Sequence, residues 1–429
     1  MTRFQVGATR NPTPAQPAPL RTGDGDPASV EAICRRVLDG NWREGTRVGR
    51  RYAYTAPSPG RYPWQWYWDS CFTAIARRRI DPGRARLELE SLLRAAREDG
   101  FIGHTIFWGR PVDPMRSLFY NVRSRRDFMT STIQPPLLAW AWSLVVGDPA
   151  RVPEIVRHHH HVERARAIDA DGLLWLIQPD ESGLDASPKF DSAFGWRADG
   201  LPGFPLLVRR NRRLAFEIGR VAEAGGPIVC GTLTNVLHNL SRLALGMPSL
   251  TPRMLERLYD ERAGVFRQIV RRGGRERRGP DQTLTWAALS PLALPDLPEQ
   301  IGHRMVEEHL LNPARFWLPF PPPSVAADDP SFTRADRFLF LLRRYWRGPT
   351  WINAAWLLWL GLVRLGYQEA AGQMARRLSR AVSTAGLREY YDPYTGKGMG
   401  AHDFSWSALV LELVGPPSAP AVSAGQTPE

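Results

Sequence analysis

The chain has 429 residues, 43% hydrophobic and 23% charged, a globular composition that excludes a largely disordered or collagen-like polypeptide. Lys+Arg number 56 against Asp+Glu 43, giving +13, and all but two of the basic residues (Lys189 and Lys397) are arginine. The arginines are spread through almost every segment instead of forming a stripe, which argues against a nucleic-acid partner. No run of ~18 apolar residues occurs, which argues against a membrane span.

Residues 1–27 read as a flexible Pro-rich lead-in without an apolar stretch of signal-peptide length, and 415–429 as a matching tail. Between them, 28–414 reads as one domain, because no Pro/Gly linker divides it. Apolar residues at i, i+3, i+4 and i+7 predict helices over 30–38, 70–79, 84–97, 136–146, 152–168 and 207–223. The same pattern continues over 232–245, 299–311, 351–365, 368–383 and 405–413, with weaker helices at 252–259 and 283–293. Short hairpins are expected at 172–178 and 263–270, and no large sheet. A helix every ~30 residues suits antiparallel helix pairs stacked in sequence and closed on themselves. The expectation is an all-α toroid whose long loops gather on one face.

Cys34, Cys71 and Cys230 are too few for a disulfide framework, and their apolar neighbours predict buried free thiols, as in a reducing cytoplasm. The run His158 to His161 falls on a predicted helix. Consecutive helical residues diverge around the axis, so these read as surface histidines and not as a metal centre. No HExxH, CxxC, GxSxG or Walker pattern occurs, so neither a metal nor a cofactor is expected. The basic run RRGGRERRG, from Arg271, reads as a solvated loop, with attraction of an anionic ligand as its functional alternative.

Four segments stand out. In RYPWQWYWDSCFTAIA, Asp69 follows Trp64, Trp66 and Trp68; it reads either as a helix N-cap or as a grip on adjacent sugar hydroxyls. IQPDESGLDASPKFD packs Asp180, Glu181, Asp185 and Asp191 into one polar loop, without the spacing of a calcium loop. RRYWRGPTWINAAWLLW sets Tyr345, Trp346 and Arg347 before a helix, and Arg347 reads as a brace or as a partner for a site carboxylate. In LREYYDPYTGKGMGAHDFSWSALVLEL, Glu389 leads into a Gly-rich loop and Trp406 follows. Tryptophan offers a flat apolar face and one N–H donor, which suits the apolar face of a pyranose, although core packing is the ordinary role of any single one. Two carboxyl groups in separate loops among tryptophans are what glycoside hydrolysis requires.

WYWDSCF, IQPP, QPDESGLDASPKFD, YWRGPTW and EYYDPYTG with DFSWSA resemble, in order, the (α/α)6-barrel glycosidases of the glucosidase I and trehalase group. The likeness is nearest to the bacterial mannosylglycerate and glucosylglycerate hydrolases. The resemblance implies Asp185 as general acid, Glu389 as general base and inversion at the anomeric carbon. It implies glycone contacts from Asp69, a sugar pocket lined by Tyr345 and Trp346, and Gln134 near the glycerate. Trp66, Trp68, His104, Arg347 and Trp406 complete the expected substrate-binding set, and Trp64 is expected beside Trp66, Trp68 and Trp346 in the pocket wall. Departures from the family pattern at Ile133, Ala186 and Lys397 leave the implied acid and base untouched. The expected partner is a small saccharide or glycosylated organic acid, and the sequence leaves the oligomeric state open. Trehalase-like or oligosaccharide α-glucosidase activity is the rival within the enzymes. A catalytically inactive sugar-binding protein on the same barrel is the rival outside them.

Overall fold

The structure, a computed structural model, describes residues 26–109, 120–123, 128–195, 203–278, 283–335, 337–338, 342–343 and 345–415. The expected lead-in and tail lie almost wholly outside those residues. Helix α1 (Pro27–Gly40) begins where Asp26 accepts a hydrogen bond from the Ser29 N–H and Pro27 presets φ in the first turn. An antiparallel hairpin follows, Trp42–Arg47 with Arg50–Thr55. Then come α2 (Tyr67–Arg77) and α3 (Pro82–Ala95), the latter capped by Asp81 in the same way as α1. Every residue of α2 is buried, whereas α3 buries one face and exposes the other. That contrast marks an inner helix with an outer one packed on it.

The pairing continues through α4 (Leu138–Val145) and α5 (Pro153–Arg166). Next come the short α6 (Asp191–Phe194), α7 (Gly203–Arg213) and α8 (Ile218–Glu223), then α9 (Thr232–Ala244) and α10 (Thr251–Leu258). The chain closes with α11 (Glu299–Met305), α12 (Ile352–Arg364), α13 (Gln368–Ala385) and α14 (Val410–Val414). Packing runs in a closed circuit. Helix α2 meets α4, α4 meets α9, and α9 meets the 3-10 turn Ser290–Ala293. That turn meets α12, which meets the 3-10 turn Ser405–Leu409, and this packs back on α2. Helices α3, α5, α10 and α13 pack on the inner members, and α1 packs on α13 and α14. The all-α toroid expected from the helix cadence is the fold, and among the described residues each sheet has two or three strands. Among the described residues no helix is long and apolar enough to cross a membrane.

Some elements differ from expectation. The helix predicted over 207–223 breaks into α7 and α8, because Ala215 and Phe216 both take left-handed backbone conformations (φ 57 each). The segment 283–293 forms two 3-10 turns around Pro291, whose missing N–H stops a regular helix. No hairpin forms at 172–178; Leu176 instead bridges to Val229. The basic run from Arg271 supplies the turn and residues of both strands of an antiparallel hairpin, Ile269–Arg272 with Arg275–Arg277, and is not a loop. The three cysteines are free and buried.

The ring closes over an ion cluster. Glu412 of α14 accepts from Arg78 Nη2 and Arg79 Nε, each at 2.8 Å, just past the end of α2, and only 4% of its side chain is exposed. Removing one member of a buried ion pair strands the others without compensation. Glu412→Ala should therefore lower unfolding free energy by about 3 kcal/mol. Urea denaturation measures this, and a loss below ~1 kcal/mol would mean that closure rests on apolar packing alone.

Candidate active site

A cavity of about 470 Å³ opens among the loops. Its lining brings together Trp66, Trp68, Asp69, His104, Gln134, Asp185, Tyr345, Trp346, Glu389 and Trp406, all of them expected from the sequence. Asp69 is the third residue of α2, so the N-cap reading does not hold; the cap position is Trp66. Asp185 follows the 3-10 turn Pro179–Ser182, which ends on Gly183 in the left-handed region (φ 73). A Cβ at Gly183 would fall 2.4 Å from the Trp68 ring, so glycine is what lets this loop lie against the pocket wall. Glu389 stands in the strand Arg388–Tyr391, paired with Gly398–His402. At Gly400 (φ 68) a Cβ would fall 2.7 Å from the Glu389 carboxylate.

Each of the two expected catalytic carboxyls has its own tyrosine. Tyr345 Oη donates to Asp185 Oδ2, and Tyr62 Oη donates to Glu389 Oε1 at 3.0 Å. Glu389 also accepts from the Ala401 N–H at 2.8 Å and pairs with Arg61 at 3.4 Å. Burial pushes Asp185 up to about 6, against the opposing pull of the Tyr345 hydroxyl. Burial likewise pushes Asp69 well above the usual carboxylate range and holds both tyrosines protonated. Gln134 Oε1 accepts from the Trp68 N–H at 2.9 Å and so fixes the start of α2. Trp346 stacks on Trp351 at 3.8 Å with rings 7° apart, forming a flat wall.

Two expectations need correction, and one alternative left open is decided. Arg347 is absent from the lining; its guanidinium grips Asp191 with two bonds, of 2.8 and 2.6 Å, and braces the loop. Trp64, expected in the pocket wall, packs instead with Phe107 and Val122 in a separate apolar cluster. Arg271 pairs with Asp169 and Glu276 away from the cavity, so the basic run lines nothing there.

The histidine run also differs from expectation, since His158 and His159 are buried, because consecutive residues around a packed helix cannot all face solvent. His159, Glu163 and His238 each bring one ligand atom within 4.8 Å of the others. Arg242 also donates to that carboxylate, and the two imidazoles lie nearly parallel at 4.9 Å, so the cluster reads as a charge-paired brace between α5 and α9. Residues not anticipated in the pocket include Tyr62, Asn121, Asp180 and Trp351. Asp180 is pushed up to about 7 by burial, with Glu181 beside it adding to the effect.

A toroid of helix pairs, with two tyrosine-bound carboxyls in a tryptophan-walled pocket, defines a glycoside hydrolase on an (α/α)6 barrel. The chain belongs to the mannosylglycerate hydrolase MGH1-like glycoside hydrolase family, whose domain matches residues 62–220 and 240–407. It is 28% identical to the mannosylglycerate hydrolase of Rubrobacter radiotolerans, over 89% of this chain and 96% of that one. It is 26% identical to the glucosylglycerate hydrolase of Mycolicibacterium hassiacum, over 84% of this chain and 94% of that one. The crystal structure of a GH63 mannosylglycerate hydrolase from Thermus thermophilus, in complex with Tris and D-glycerate, superposes with a TM-score of 0.72 at 25% identity. That likeness covers 90% of this chain and 99% of the Thermus one.

Burial of Asp185 has a thermodynamic consequence. Its pKa stands at about 6 in the fold against 3.8 for a free carboxyl, so folding favours the protonated form. The stability it contributes is complete below the lower value and lost as pH rises through the higher one. Asp185→Asn removes the ionisable group and should melt above the parent protein at neutral pH, with the advantage gone below about pH 4. Thermal scans at several pH values test this; an equal or lower Tm at neutral pH would mean that the ionised carboxyl is well solvated.

Proposed function

We propose that the chain is an inverting hydrolase that releases an α-linked glucosyl or mannosyl unit from a small acid such as glycerate, with Asp185 as general acid and Glu389 as general base. The observation that carries the reading is the asymmetry of the two carboxyls within one cavity. Asp185 holds its proton up to about pH 6, whereas Glu389 accepts from Tyr62 and Ala401, pairs with Arg61 and so presents itself as an acceptor. Asp185 gives its proton to the glycosidic oxygen as the bond to the anomeric carbon breaks. A water attacks that carbon from the other face and passes its proton to Glu389. Inversion is the outcome implied by the family motifs, and it requires ~6.5–9.5 Å between the carboxyls. Asp69, fixed in the first turn of α2, grips glycone hydroxyls, and Trp66, Trp68, Trp346 and Trp406 supply the apolar wall. The domain boundaries at 28–414 accord with a catalytic unit that needs both ends of the ring.

A neutral aglycone, as in a trehalase or an oligosaccharide glucosidase, is the second reading. It is favoured by the pocket wall, where the described lining residues include Asp69, Asp180, Asp185 and Glu389 but no lysine or arginine. Hydrolysis of glucosylglycerate, mannosylglycerate and trehalose separates the two, and turnover of trehalose alone would reverse the preference. Asp185→Asn and Glu389→Gln should each cut kcat by about 100-fold or more. Near-normal turnover in either variant removes that residue from its role. Proton NMR in the first minutes of reaction should show the anomer opposite to that of the substrate; a retained anomer would indicate a covalent route. The rate should fall as pH rises through about 6, because the acid form of Asp185 is then lost.

A further inference from the structure

A second cavity, of about 460 Å³, lies directly behind the active-site wall. The wall is one backbone layer thick, as its alternating side chains show. Thr130 and Gln134 line the active-site pocket, whereas Ser131 and Ile133 line the second cavity. Asn121 faces the first cavity and Arg123 the second. Asp180 lines the first, and its neighbour Glu181 is ion-paired with Arg166, which lines the second.

The second cavity is basic. Arg97, Arg123, Arg164 and Arg166 line it, opposed by the carboxylates of Asp99 and Glu217. Both acids are turned largely outward, with side chains 58% and 47% exposed. The Arg166 charge is matched by Glu181, and Arg123 lies 3.9 Å from Glu217. Arg97 and Arg164 form no ion pair among the described residues; Arg97 lies over the Phe101 ring at 4.8 Å. Two buried polar atoms of the lining also lack a hydrogen-bond partner among the described residues, Ser131 Oγ and Arg166 Nε. Those residues are only 7% and 3% exposed. A buried donor without a partner costs free energy that a ligand oxygen recovers. Guanidinium forks with a hydroxyl donor between them match the oxygens of a tetrahedral oxyanion.

We propose that this cavity is a binding site for a phosphate group, back to back with the catalytic pocket and separate from it. Its volume falls within the range of small-ligand pockets, so a phosphate carried on a small organic moiety fits as well as the free ion. Arg97 and Arg164 supply the charge at the mouth, and Ser131 with Arg166 supplies the buried donors.

The test is thermal denaturation of the full chain in increasing inorganic phosphate, with ionic strength held constant by chloride. A ligand that binds only the folded state raises Tm along a saturating curve. The double variant Arg97→Ala/Arg164→Ala should weaken the apparent Kd by about tenfold or more, whereas Arg97→Lys/Arg164→Lys should recover part of the loss. Glu389→Gln, in the other cavity, should leave the phosphate curve where it is. No shift beyond the chloride control would overturn the proposal. So would a curve that the double alanine variant leaves unchanged, or one that Glu389→Gln abolishes, since the ion would then sit elsewhere.

Discussion

A ring of helices keeps its shape only if its two ends meet, and every functional group described above depends on that meeting. Glu412 ties α14 to the arginines at the end of α2. Around it, Trp406 packs edge-on against Trp68 at 5.1 Å and against Phe72 at 6.1 Å, joining the last turn of the chain to its first inner helix. The consequence reaches the pocket directly. Tyr62 and Glu389, 327 positions apart, share a hydrogen bond only because the circuit is closed. An open stack of the same helix pairs would leave each carboxyl loop exposed to water, where its side chain would titrate as an ordinary acid.

Closure creates an electrostatic problem that the pocket's hydrogen bonds answer. Asp69, Asp180, Asp185 and Glu389 share one lining, in a space where burial disfavours the charged forms of the three aspartates. Like charges cannot all ionise there, so the fold divides the protons unequally. Gln178 and Asn121 donate to Asp180, Tyr345 to Asp185, and Tyr62 with the Ala401 N–H to Glu389. Burial keeps both tyrosines protonated, so each remains a fixed donor across the working pH range. Pairs of acids pushed apart in proton affinity are the usual basis of acid–base division of labour.

How much of this could be read beforehand follows from the physics of each element. Helices such as α9 and α12 carry long apolar patterns and were legible, as was their cadence around a ring. The break at Ala215 and Phe216 was not, because neither residue type signals a left-handed backbone. Asp185 and Glu389 sit in motifs dense with glycine and aromatic residues. Their convergence was legible from motif resemblance, whereas composition showed only that acids were gathered in loops. Arg347 and Trp64 lie inside the same motifs yet are absent from the lining, because Asp191 holds the guanidinium and Phe107 with Val122 holds the indole, contacts made by tertiary structure that the motifs do not signal. Asn121 had no motif around it and is in the pocket only through tertiary contact. The buried histidines show the reverse case, in which a polar run was drawn inward by polar partners, His158 by the Tyr67 hydroxyl and Gly100 O and His159 by Glu163.

The wall between the two cavities joins these themes. Its extended segments bond to one another, the His104 N–H donating to Thr132 O at 2.8 Å and the Ser131 N–H to Asn121 O at 2.6 Å. Glu181 anchors the layer from within, accepting from the Ile133 and Ile177 N–H groups and from Arg166. Its carboxylate therefore holds the backbone beside Gln134, which faces the active site, and the guanidinium that faces the basic cavity. A buried ion pair contributes little net stability by itself, since desolvation offsets most of its attraction. Here its effect is positional: one carboxylate sets the spacing between a layer of groups that line the active-site pocket and a layer of arginines. With the layer only one strand thick, neither set of side chains can shift without disturbing hydrogen bonds that the other set also uses.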